Sequence, residues 1–135
     1  MASILTFGGV FAYAAKDVTV MLDGEKMEFD VNPFIEDDRT LVPMRAIFEA
    51  VGAQITWEEG ERTVIALQKK DSSFNSIAIQ IDTEYAFVNS KRKDLDVPAR
   101  IVNDRTFVPL RFVMEELGAE VTWDSDSYTV YIKTK

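Results

Sequence analysis

The chain has 135 residues, 47% of them hydrophobic, with 15 basic against 23 acidic side chains, a formal charge of -8, no histidine and no cysteine. The surplus of carboxylates opposes phosphate contacts, which need Lys and Arg to release counterions, and opposes adsorption to an anionic membrane surface, so neither nucleic acid nor a membrane is an expected partner. Lacking imidazole and thiolate, the chain supplies no zinc or copper ligand set, no His-based triad, no nucleophilic cysteine and no disulfide, and neither a metal nor a cofactor is expected.

Ile4 to Ala14 is apolar and ends in Ala12-Tyr13-Ala14, the small-x-small pattern of a signal-peptidase site, with only Met1-Ala2-Ser3 ahead of it. Residues 1–15 are therefore expected to be the trimmed remainder of a secretory signal peptide or an N-terminal strand, too short to span a membrane. Thr19–Leu22, Asp23-Gly24 and Lys26–Phe29 then read as a hairpin, with a turn dipeptide between alternating residues. After a Pro-containing loop, Pro43 is placed at the first helical position, where its missing N–H costs nothing. Met44, Ile47, Phe48 and Val51 follow at helical spacing, and Gly52 stops a helix of about nine residues. Two strands complete the unit, Gln54–Trp57 and Thr63–Leu67.

The chain then repeats itself. Asp38-Arg39-Thr40-Leu41-Val42-Pro43-Met44-Arg45 returns 66 residues later as Asp104-Arg105-Thr106-Phe107-Val108-Pro109-Leu110-Arg111, with no insertion or deletion from Asp30/Asp96 through the motif. Residues 16–67 form repeat one, 68–75 a polar bridge, and 76–135 repeat two, which opens with the strand Ser76–Ile81. A short helix with one apolar stripe must bury it on a sheet. The fold class is therefore α+β, as two tandem repeats, each an antiparallel β-sheet wrapped around one short α-helix. Shifting residues 10–16 by the same offset lays them on Ser76–Asp82, so this tail is expected to supply a strand beside repeat one, or a homodimer contact by exchange.

Arg45 with Glu49, and Arg111 with Glu115, sit one turn apart as helical ion pairs, near enough to the stripe's edge to pin the Asp-Arg-Thr segment, with ligand contact by the arginines as the lesser alternative. Trp57 and Trp123 are the natural candidates for sugar stacking, but they share a strand face with Ile55 and Val121, so a core role is favoured and both are expected to be mostly buried. Asp124-Ser125-Asp126 resembles the start of a calcium loop but lacks its central Gly and distant Glu. No phosphate loop, nucleophile elbow or facing carboxylate pair is discernible, so the protein is not expected to be an enzyme.

The doubled string Asp38–Trp57 and Asp104–Trp123 closely resembles the copper amine oxidase N-terminal-domain-like, or stalk-domain, family. The resemblance implies a non-catalytic sheet around a helix, in secreted or cell-wall proteins of Gram-positive bacteria. What it carries over is structural: Arg39, Thr40, Pro43, Arg45, Glu49, Gly52 and Trp57, with Arg105, Thr106, Pro109, Arg111, Glu115, Gly118 and Trp123. Ser90, where the family's hairpin has Gly, departs from the pattern. The expected function is that of a non-catalytic extracellular module, a spacer or a body contacting an envelope protein or wall polymer. The alternative is a carbohydrate- or peptidoglycan-binding domain using Tyr85, Phe87, Tyr128 and Tyr131; a small acidic hydrolase is the remote one.

Overall fold

The computed structural model describes residues 17–134. They form an α+β body of thirteen strands and two short helices in three sheets. In chain order these are β1 (Thr19–Leu22), β2 (Glu25–Lys26), β3 (Phe34–Glu36), β4 (Arg39–Pro43), α1 (Met44–Ala50), β5 (Ala53–Glu58), β6 (Thr63–Lys70) and β7 (Ser73–Gln80). There follow β8 (Tyr85–Val88), β9 (Lys91–Asp94), β10 (Arg100–Val102), β11 (Arg105–Pro109), α2 (Leu110–Glu116), β12 (Glu120–Asp124) and β13 (Thr129–Lys133).

Every sheet takes strands from both motif copies. The five-stranded sheet runs β5-β6-β7-β8-β9, and the two four-stranded sheets run β12-β13-β1-β2 and β10-β11-β4-β3. The expectation of one sheet per repeat is therefore corrected: the hairpin of each copy is completed by the terminal strands of the other. At the centre, β4 pairs antiparallel with β11, and Val42 lies opposite Val108, its own counterpart 66 residues on. One face of this sheet, with Val42 and Val108, joins the main core; Leu41 and Phe107 on the other face pack with Val97 in a second small cluster.

The expectation of purely antiparallel pairing is also corrected. β1 pairs parallel with β13, Val20 opposite Val130, which is possible because the two strands lie far apart in the chain and no hairpin constrains them. In the five-stranded sheet the corresponding strands β6 and β8 are separated by β7, with Val64, Ile79 and Ala86 in one row. Direct pairing of β1 with β13 thus leaves no slot between them for a strand from residues 10–16. Those residues, like the whole segment 1–15 read as signal remnant or strand, lie outside the described residues.

The two helices do what their stripes require. Met44, Ile47 and Phe48 on α1, and Leu110, Val113 and Met114 on α2, are buried, each such side chain contributing roughly 1.5–3 kcal/mol by leaving water. Pro43 and Pro109 stand one residue earlier than expected, as extended caps that end β4 and β11, and the helices are seven residues long. Gly52 and Gly118 terminate them at φ +78° and +92°, a region that suits a residue without Cβ. The polar bridge 68–75 is not a linker: Gln68–Lys70 finish β6, Ser73 starts β7, and only Asp71 and Ser72 turn the chain.

Candidate functional site

The Asp-Arg-Thr motif is the turn and first residues of a hairpin. Asp37-Asp38 joins β3 to β4 and Asn103-Asp104 joins β10 to β11, all four at positive φ (50°, 64°, 52° and 62°), which short side chains capable of local hydrogen bonding tolerate. Each turn projects its arginine across to the other motif copy. Arg39 donates through Nε and Nη2 to Asp96 Oδ2 at 2.9 and 2.8 Å. Arg105 donates through Nε to Asp30 Oδ2 at 2.9 Å. The Arg105 guanidinium holds the Asp30 carboxyl below the usual aspartate range, and Asp30 in turn raises Arg105. A further cross-copy pair joins Arg100 to Glu36.

Above each pair lies a groove walled by the other copy's helix start and Trp strand. The first, about 560 Å³, has Arg39, Thr40 and Asp96 on one side and Leu110, Arg111, Trp123 and Tyr128 on the other. The second, about 910 Å³, has Arg105, Thr106 and Asp30 facing Met44, Arg45, Glu49 and Trp57. Nine of their lining positions correspond at the 66-residue offset.

Both helical ion pairs form, Arg45 to Glu49 at 3.5 Å and Arg111 to Glu115 at 3.0 Å. Pinning of the Asp-Arg-Thr segment falls instead to Asp96 and Asp30. Arg111 reaches the Val121 carbonyl of β12 at 2.9 Å, beside its own Trp strand.

The tryptophans differ, and the expectation that both are mostly buried is corrected. Trp57 is half-buried, packed against the core, and its indole N–H donates to Glu59 Oε1 at 2.7 Å. Trp123 is 38% exposed. Its neighbour at the position of Glu59 is Ser125, too short to cap the indole, and the ring instead meets Tyr128 edge-on at 5.3 Å.

The four candidate aromatic residues do not form one platform. Tyr85 and Phe87 lie on the outer face of the five-stranded sheet, their rings perpendicular at 5.9 Å, with the Arg92 guanidinium 4.1 Å above Tyr85. Tyr131 is exposed on the outer face of the four-stranded sheet that contains β13, whereas Tyr128 lines the Trp123 groove. Asp124 accepts from the Asp126 N–H and the Ser127 hydroxyl, both at 3.0 Å, so its carboxylate organises the turn. Among the described residues no cluster of three or more acidic side chains is placed to hold a metal ion. Sequence reasoning passed over Asp30, Asp96, Glu59 and Ser125. An acid at the same offset in both copies was the available signal for the first two.

A family model described as the copper amine oxidase N-terminal domain matches residues 21–132, running through both motif copies. The chain belongs to this family. Copper amine oxidase N-terminal domains are non-catalytic, stalk-like modules, which accords with motif residues that tie the body together. A Brevibacillus choshinensis protein named "Protease inhibitor" is 33% identical over 116 residues, which is 85% of this chain and 34% of that protein. The chain thus spans about a third of that relative's length.

Proposed function

We propose that this chain is a non-catalytic module of an extracellular Gram-positive protein, two interlocked copies of one motif forming a rigid body that spaces its neighbours and contacts wall polymer. The observation that carries this reading is the use of the motif arginines. Arg39 and Arg105 are fixed by Asp96 and Asp30 of the opposite copy, while Arg45 and Arg111 are held by acids of their own helices. Arg39 and Arg105 thus tie the halves together, and the two related grooves beside them are surfaces suited to contact. The leader-like run Ile4 to Ala14 supports export, and the family's stalk-like character supports a spacing role.

Retention on purified cell walls, before and after extraction of teichoic acid, tests the reading. Both the chain and teichoic phosphates are negatively charged, so retention is expected to hold or rise after extraction. No retention on either preparation would contradict wall contact. The relative's name favours a second reading, contact with a protein. Inhibition of a secreted protease at near-equimolar chain, with no wall retention, would select it.

A further inference from the structure

We propose that the Trp123 groove is a subsite for a neutral pyranose unit of a polysaccharide, the indole offering the stacking surface and Asp96 and Arg111 holding ring hydroxyls. The proposal rests on the wall-contact reading and goes further by naming the groove and the class of sugar.

Three observations converge on it. The first is the ring. Trp123 keeps 38% of its surface accessible inside a concave site of about 560 Å³, within the size range of small-ligand clefts. Tyr128 fixes the indole edge-on from a left-handed backbone position, φ +54°. Arg62, its counterpart, takes φ +50°, so the loop demands this conformation in both copies, and here the demanding position carries a bulky ring. Aromatic rings with one apolar face and oriented polar neighbours suit a pyranose, whose C–H face is apolar and whose rim is hydroxylated.

The second is the rim. Asp96 binds Arg39 through Oδ2 alone, and among the described residues nothing is bonded to Oδ1. Arg111 bonds to Glu115 and to the Val121 carbonyl only through Nη1, leaving the donors on Nε and Nη2. An oriented acceptor and an oriented donor therefore border the exposed indole, as a hydroxyl ligand requires.

The third is the contrast between grooves. In the first, Asp38 and Asp96 stand with Arg39 and Arg111, and Glu115 meets Arg111 at the rim. The second carries Glu28, Asp30, Glu49, Glu59 and Asp104 against two arginines, and Glu59 caps its indole. The first groove is the less acidic of the two, and a neutral hydroxylated ligand finds no open indole N–H in the second.

Titration with a β-1,4-linked N-acetylglucosamine tetramer and with cellotetraose, followed by the fluorescence of a Trp57→Phe variant in which Trp123 is the sole reporter, tests the proposal. At least one of the two sugars should give a saturable change in emission. By calorimetry, Trp123→Ala should abolish that binding, Ser125→Glu should weaken it roughly tenfold or more by importing the second groove's cap, and Glu59→Ser should leave it unchanged. Far-ultraviolet circular dichroism of each variant separates lost binding from lost fold, and Ser125→Glu keeps the test intact if Trp123→Ala unfolds. The proposal is overturned if neither sugar binds, or if binding survives both groove variants. Walls that still retain a protein blind to both sugars would remove the groove and leave wall contact standing; failure of both assays would remove both.

Discussion

The two grooves are one backbone frame finished in two ways. Each places an Asp-Arg-Thr turn of one copy against the helix start and Trp strand of the other, and each closes with a cross-copy Arg–Asp pair. Two residues past each tryptophan the side chains part company: Glu59 caps the N–H of the half-buried Trp57, whereas Ser125 is too short to reach Trp123, which meets Tyr128 and stays 38% exposed. Shared residues build the body, and the unshared ones decide whether each groove's indole N–H is capped.

The largest effect should come from breaking what the copies share. Phe48 and its counterpart Met114 are both fully buried in the same core. Phe48→Ala should cost about 3–5 kcal/mol and Met114→Ala about 2–5 kcal/mol. Either change should lower the midpoint of one common urea transition, since every sheet draws on both halves; two separable transitions would show that the copies fold independently.

Next comes the contrast itself. Trp57→Ala, which removes a core contact and a capped N–H, should cost about 2–3 kcal/mol. Trp123→Ala should cost only about 1 kcal/mol, because much of its ring already faces solvent. Chemical denaturation of the two variants reads the difference directly, and equal losses would erase the distinction between the grooves.

The hairpins at the start of each half supply a smaller comparison. Gly24 takes φ +87° without steric cost, but Ser90 sits at φ +70° in the matching turn. Ser90→Gly should therefore stabilise by about 1 kcal/mol, seen as a higher melting temperature, while Gly24→Ser should destabilise by a similar amount.

The smallest effect is on pH dependence. Because Arg105 holds the Asp30 carboxyl below the ordinary aspartate range, the stability this pair adds is present above the unfolded carboxyl's pKa and is lost as pH falls through the lowered one. The gap in stability between wild type and Asp30→Asn should be visible at neutral pH and close in strong acid. A gap that widened on acidification would contradict the assignment.

Much of the local architecture was legible in the sequence. The stripes on α1 and α2, the glycines that end them, the Trp strands and the opening hairpins all follow from spacing and turn chemistry. The hairpins around the motif did not show. β3 and β10 are three residues long, and Asp37-Asp38 and Asn103-Asp104 lack the Gly that usually advertises such a turn. Strand exchange was hidden for a different reason. The pattern of β13 states that one face is buried, but nothing local says that its neighbour will be β1 from the far end of the chain. The grooves inherit that gap, since Asp96 meets Arg39, and Trp123 meets the Asp-Arg-Thr turn, only after the halves interlock. The unlike pair Glu59 and Ser125 was visible at the shared offset, yet its meaning required the indole beside it.

The interlocked copies present two unlike indoles, that of Trp123 exposed and that of Trp57 half-buried with its N–H capped by Glu59. Fluorine NMR of 5-fluorotryptophan-labelled protein tests this difference most directly, through the shift of each resonance between H₂O and D₂O, with assignment by Trp57→Phe and Trp123→Phe. Two resonances are expected, with a large solvent isotope shift for Trp123 and a clearly smaller one for Trp57. Equal shifts, or the larger shift at Trp57, would contradict it.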